Sequence, residues 1–144
     1  MVDFRYSVVA SSLHDAEAVD RLTAPVRAAL ESLGGRPSDH PAAEPDVPHV
    51  VLVATGGTES AALDAAARRR AVVPWEPVVL VAHPLHNSLP ASLETLARLR
   101  RNGIAGRIVQ VGAGGTTLDD VASVAADLAA LHTMHSVRLG LVGE

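Results

Sequence analysis

Three apolar runs, at residues 49–54 (HVVLVA), 77–82 (PVVLVA) and 107–111 (RIVQV), constrain the fold of this chain more than any other feature. A run with no polar face must be covered on both sides, as parallel strands are between layers of helix. Around these runs the apolar period becomes helical. Ala16, Val19, Leu22, Val26, Ala29, Leu30 and Leu33 recur after a β-rich run at 5–10 (RYSVVA), with Asp15 as the expected cap and Gly34-Gly35 as the stop. Thr58 is placed to cap a second helix running from residue 59 to about 71. Leu89, Leu93, Leu96 and Leu99 trace one face of a third, which tolerates Pro90 in its first turn and closes at Asn102-Gly103. Thr117 opens a fourth, with Leu118, Val121, Val124, Ala125, Leu128 and Leu131 as its buried stripe, and residues 137–142 read as a last strand. This β-α-β-α order implies right-handed crossovers and one α/β domain over residues 1–144. The expected architecture is a three-layer doubly wound parallel sheet, flavodoxin-like or Rossmann-like, with the three apolar runs as interior strands.

Prolines at 37, 41, 45 and 48 forbid regular helix in residues 36–48, which read as a solvated connector; a brief edge strand near 35–38 is the alternative. The segments after the strands are polar: Ser11-Ser12-Leu13-His14, Thr55-Gly56-Gly57-Thr58-Glu59, His83-Pro84-Leu85-His86-Asn87-Ser88 and Gly112-Ala113-Gly114-Gly115. In an open parallel sheet the loops beyond the carboxyl ends of the strands meet the ligand, so Thr55, His86 and Gly114 are expected on one rim. The candidate substrate-binding residues are Thr55, Gly56, Gly57, Thr58, Glu59, His83, His86, Asn87 and Ser88.

Composition removes several function classes. The chain has no cysteine and no lysine, so thiolate metal sites, thiol nucleophiles, a Walker A loop, a Schiff base and a Ser/Lys dyad are all excluded. Aromatics are 2% of residues, too few for base-stacking nucleic-acid modules. The net charge is −4, and the two arginine clusters, Arg68 to Arg70 and Arg98 to Arg101, fall on expected helix surfaces and read as solvated faces. No charged-then-apolar leader opens the sequence and no apolar run approaches ~20 residues, so a cytoplasmic protein without a membrane partner is expected.

Specific chemistries can be tested against the loops. Two glycines between two hydroxyls, followed by a helix start, let main-chain amides approach an anion or a polarised oxygen; a tight strand-to-helix turn also needs glycine for steric reasons. The Thr-Gly-Gly-Thr turn is similar to the nucleophile turn of bacterial-type asparaginases, but it arrives after residue 54 and the required lysine is absent. Ser11-Ser12 offers little to a flavin phosphate, and Gly112 to Gly115 does not match the dinucleotide fingerprint. His83 and His86 would need Glu59 or His14 to complete a metal site; otherwise one imidazole bonds loop backbone and the other faces solvent. His132 and His135 read as capping residues near a helix end.

Taken together, residues 50–60 (VVLVATGGTES), 78–111 (VVLVAHPLHNSLPASLETLARLRRNGIAGRIVQV) and 136–144 (SVRLGLVGE) resemble the amino-terminal domain of the L-fucose/L-arabinose isomerase-like family. The most specific piece is His86 to Ala91, HNSLPA, one βα unit after the Thr-Gly-Gly-Thr-Glu turn. The resemblance implies carbohydrate metabolism by aldose-ketose isomerisation through an enediol, a divalent ion, typically manganese, in the complete oligomeric enzyme, and metal ligands in later domains. It makes this chain an excised or truncated sugar-recognition and packing domain, with no catalytic or metal-binding residue carried over and no cofactor held by the chain alone. The alternative from another class is a free-standing, non-catalytic binding or assembly module.

Overall fold

The computed structural model describes residues 1–112 and 118–138. In chain order the elements are β1 (Phe4–Val9), α1 (Ala16–Ser32), β2 (Gly35–Pro37), β3 (His49–Val53), α2 (Glu59–Arg70), β4 (Val78–Ala82), α3 (Ser88–Arg101), β5 (Gly106–Gln110) and α4 (Leu118–Ser136). The strands form one parallel sheet in the order β2-β1-β3-β4-β5, with Val8 beside Leu52, Leu52 beside Val81 and Leu80 beside Ile108. The chain therefore starts mid-sheet, steps one way to β2, and reverses to build β3, β4 and β5 on the other side. That is the flavodoxin-like strand order, and its reversal leaves a switch point between β1 and β3.

Alternation of side chains along each strand divides the core into two layers. On one face Phe4, Tyr6, Val50, Leu52, Val79, Val81 and Val109 meet Val26 and Leu30 of α1 and Val121, Val124, Ala125 and Leu128 of α4. On the other, Val9, Val51, Val53, Val78 and Leu80 meet Ala62, Ala65 and Ala66 of α2 and Ala91, Leu96 and Leu99 of α3. β3 and β4 are buried along their whole length, as an unbroken apolar run requires. Among the described residues no helix is long and apolar enough to cross a membrane.

Asp15 caps α1 as expected, its carboxylate accepting from the Ala18 amide at 2.7 Å. Asp15→Ala is expected to lower stability by about 1 kcal/mol, read from the shift of the urea unfolding midpoint; an unmoved midpoint would make the cap irrelevant.

Several expectations need correction. The connector reading of residues 36–48 fails at its start, because Gly35–Pro37 pairs with β1 as the edge strand β2. Pro37 is tolerated there because an edge strand has one side free of ladder bonds. The run 107–111 was expected in the interior, but among the described residues β5 pairs only with β4 and is half-exposed. The strand expected at 137–142 falls mainly outside the described residues; Val137 and Arg138, which are described, are exposed and not in a strand.

Helix faces also differ. α3 buries Ser88, Ala91, Ser92 and Thr95 with Leu96 and Leu99, while Leu93 is exposed. Ser92 and Thr95 return their hydroxyls to carbonyls one turn back, at 2.9 and 2.8 Å, and their small size lets α3 pack against the alanine face of α2. Leu118 is exposed, and the stripe of α4 ends on buried His132 instead of Leu131.

Arg69, read as solvated, is buried. Its guanidinium meets Glu76 at 2.5 Å and donates to the carbonyls of Pro41, Glu44, Pro45 and Val47, so it clamps the proline-rich connector. Neither lower histidine acts as a cap: Nε2 of His132 bonds the Glu76 carboxylate at 2.6 Å, and His135 stacks on Trp75.

Candidate functional site

The loops after β1, β3 and β4 surround a cleft of about 510 Å³ at the switch point. Ser11, Leu13 and His14 come from the first loop, Thr55, Gly56, Gly57 and Glu59 from the second, and His86, Asn87, Pro90 and Ala91 from the third. Thr55 and His86 thus share a rim, as expected; Gly114 lies outside the described residues.

Two hydrogen bonds stitch the loops together. The Ser11 amide donates to Oγ1 of Thr55 at 2.8 Å, and the Gly56 amide donates to the His86 carbonyl at 2.7 Å. Gly57 has φ +69°, which glycine adopts without steric cost, and Gly56 lies so close to the third loop that an added Cβ would stand 2.9 Å from Cβ of Asn87. His86 and Asn87 are both left-handed, at φ 59° and 57°, an uncommon conformation for non-glycine residues. This tight double turn brings the third loop back over the second.

The nine candidate residues separate into two groups. Thr55, Thr58, His83 and Ser88 are buried, and their polar atoms are engaged inside the protein. Besides accepting from Ser11, the Thr55 hydroxyl donates to the Gly56 carbonyl at 3.2 Å. Thr58 was expected to cap α2, but its hydroxyl donates to the Thr55 carbonyl at 2.8 Å and makes no cap bond. Ser88 donates to the Val53 carbonyl at 2.5 Å and accepts from the His83 amide at 2.9 Å, tying β3 to the β4 loop.

His83 follows the same rule. Its Nδ1 accepts from the Leu85 amide at 3.1 Å, which assigns the proton to Nε2, and that nitrogen donates to the Leu22 carbonyl at 3.1 Å. Burial, with smaller opposing hydrogen bonds, holds its pKa below the ordinary histidine range, so the imidazole stays neutral.

Gly56, Gly57, Glu59, His86 and Asn87 form the other group, which faces the cleft. Glu59 is half-buried in the first turn of α2, and His86 and Asn87 are exposed. Neither α2 nor α3 has a side-chain cap, whereas α1 has one. The first amides of a helix lack intrahelical partners, so the uncapped start of α2 offers main-chain donors beside the cleft; at α3 the Ser88 amide donates to the Leu85 carbonyl and Pro90 has no N–H, which leaves that of Leu89. No family model, curated protein or solved structure matches this chain. Its function must therefore be argued from the cleft itself.

The manganese of the expected family can be tested against these side chains. His14 and His86 lie edge to face with ring centroids 6.4 Å apart, His83 has both ring nitrogens engaged, and Glu59 is the one carboxylate lining the cleft among the described residues. Among the described residues no group of three His, Asp or Glu side chains is arranged to hold a metal ion. The described residues of the cleft do not fit a resident divalent ion.

Reading from the sequence omitted Ser11, His14, Pro90 and Ala91 from the binding set. Ser11 and His14 carried the signal used for the other loops, a polar segment directly after a strand. Pro90 and Ala91 carried none, because they reach the cleft only through the first turn of α3.

Proposed function

We propose that the cleft binds a neutral polyhydroxylated small molecule, and that the chain is the amino-terminal sugar-recognition and assembly domain of an aldose-ketose isomerase resembling the L-fucose/L-arabinose type. The observation that carries this reading is the meeting, at the switch point, of two helix starts without side-chain caps, one carboxylate and one carboxamide, in a lining without arginine. A sugar hydroxyl both gives and accepts hydrogen bonds, so it suits a rim that mixes main-chain donors with the acceptors of Glu59 and Asn87. A phosphorylated ligand would bring its charge beside Glu59 with no guanidinium to meet it. In this reading Gly56, Gly57, Glu59, His86 and Asn87 contact the sugar, and Thr55, Thr58, His83 and Ser88 keep the loops in shape.

A second reading, a free-standing module that binds or assembles without catalysing, draws support from the single rim carboxylate. Ketol isomerisation moves a proton between adjacent carbons and needs an acid-base pair. The two readings differ in whether added metal-binding domains produce a ketose-forming enzyme.

Calorimetric titration with L-fucose, L-arabinose and L-fucitol is expected to give saturable binding with Kd on the order of 1 mM, about −4 kcal/mol. Gly56→Ala, which pushes Asn87 away, should weaken it by about tenfold, or roughly 1.4 kcal/mol. No saturable heat from any of the three would refute the polyol assignment. The chain alone is expected neither to interconvert aldose and ketose nor to bind manganese at micromolar levels; manganese-dependent turnover by residues 1–144 would locate the reaction in this domain after all.

A further inference from the structure

A second cavity, of about 530 Å³, lies at the opposite end of the sheet, where the strands begin. Its walls are the connector at Pro45, Asp46 and Pro48, the segment between α2 and β4 at Val72, Val73 and Trp75, and the last turns of α4. Its size falls in the range of small-molecule sites. The chain has one tryptophan, and it is half-buried in this wall instead of filling the core. One face of the indole is covered by His135, parallel within 9° at 3.8 Å, while His132 meets the ring edge to face at 4.6 Å.

The two imidazoles are held very differently. His132 is buried and anchored: its Nε2 bonds Oε1 of Glu76, whose other oxygen is held by Arg69 and whose Oε1 also accepts from the His49 amide at 3.2 Å. In the tautomer that carries hydrogen on Nε2, Nδ1 is a hydrogen-bond acceptor. His135 is exposed near the last turn of α4, and its ring contact with Trp75 is the interaction that keeps it over the indole. A side chain so lightly held is readily exchanged for another flat ring.

From this arrangement we propose that the cavity is a binding site for a flat, non-anionic nitrogen heterocycle of the purine-base class, stacked on Trp75 in the position that His135 occupies. An aromatic face favours such rings through offset stacking. The prolines opposite give a rigid apolar wall, and the acceptors available, Asp46 and Nδ1 of His132, suit the N–H groups of a base. Asp46 also sets the charge preference, because no arginine lines the cavity and a phosphate would face a carboxylate unopposed. The ligand is therefore the base or its nucleoside, not the nucleotide. This site is separate from the sugar cleft and does not depend on it.

Because Trp75 is the only tryptophan, its fluorescence reports this cavity directly. Titration of the native protein with adenine is expected to quench that emission saturably, with adenosine similar and AMP weaker by about tenfold. Asp46→Asn should narrow the gap between adenosine and AMP. His135→Ala, an exposed change that uncovers the indole, should tighten adenine binding by severalfold. Trp75→Leu, followed by equilibrium dialysis with labelled adenine and checked for folding by circular dichroism, should lose about tenfold, in keeping with the contribution of one stacked base. Absence of saturable quenching in both the native protein and His135→Ala would overturn the proposal. So would an NMR titration in which adenine shifts the resonances of His14 and His86 and leaves those of His132 and His135 unmoved.

Discussion

Arg69→Met should lower the unfolding free energy by about 3–5 kcal/mol, the range for removing one partner of a buried ion pair. Arg69 and Glu76 have side chains only 5% and 2% exposed, so the carboxylate left behind would sit out of water with only His132 and the His49 amide for partners. The loss extends beyond the pair. Four connector carbonyls depend on the same guanidinium, and two of their bonds, to Glu44 and Val47, are 2.9 and 2.7 Å long. Arg69→Met with Glu76→Leu should recover only part of the loss, because the buried charge goes while the connector stays unclamped and Nε2 of His132 and the His49 amide lose their acceptor. Urea unfolding of the native protein, the single variant and the double variant measures each term. A single-variant loss below about 1 kcal/mol, the level of an exposed pair, would show the network to be solvated.

Mild acid should destabilise the protein through His49. Its Nε2 is buried with no hydrogen-bond partner among the described residues, and desolvation, helped by the nearby Arg69 cation, lowers its pKa to about 3. In the unfolded chain an ordinary histidine takes up its proton near pH 6.5. Between those values the unfolded state binds one more proton than the folded state, so stability rises with pH and falls as the solution is acidified. The slope approaches about 1.4 kcal/mol per pH unit below pH 6.5, or roughly 2.3 kcal/mol from pH 6.5 to 4.5. His83, whose pKa is lowered mainly by burial, contributes with the same sign. His49→Leu removes the imidazole and should flatten the stability profile between pH 6.5 and 5, above the range in which ordinary carboxylates titrate. Unfolding curves across that interval with equal slopes for variant and native protein would exclude His49 as the source.

The parts of the fold legible in the sequence were those encoded by local periodicity. The apolar runs placed β3, β4 and β5 to within a residue, and Asp15, Pro90 and Asn102-Gly103 marked helix boundaries correctly. β2 was obscured because three residues containing a proline make no apolar run, and its pairing depends on β1, distant in sequence. Arg69 was hidden by its arginine neighbours, although Ala62, Ala66 and Arg69 repeat at helical spacing and put it on the buried face. His132 was hidden in the same way, since it continues the rows of Val121, Ala125 and Leu128 in α4.

The rim was legible as a place, because strand direction alone brings the loops together. The task of each side chain was not. A hydroxyl after a strand reads the same whether it meets a ligand or, like that of Ser88, a carbonyl of the neighbouring strand. Only the tertiary arrangement separates the two.

The mid-sheet position of β1 bears on how the protein is made. It leaves the ribosome before the strands it pairs with, and its partner β3 is encoded about 44 residues later, the separation spanned by the Ser11 to Thr55 bond. At ordinary synthesis rates of about 5–20 residues per second, that interval lasts roughly two to nine seconds. During it Phe4 and Tyr6, two of the chain's three aromatic side chains, have only α1 and the short β2 edge for neighbours. Two aromatic core side chains are therefore made well before the strands that flank them, and their face of the sheet closes only when α4 arrives.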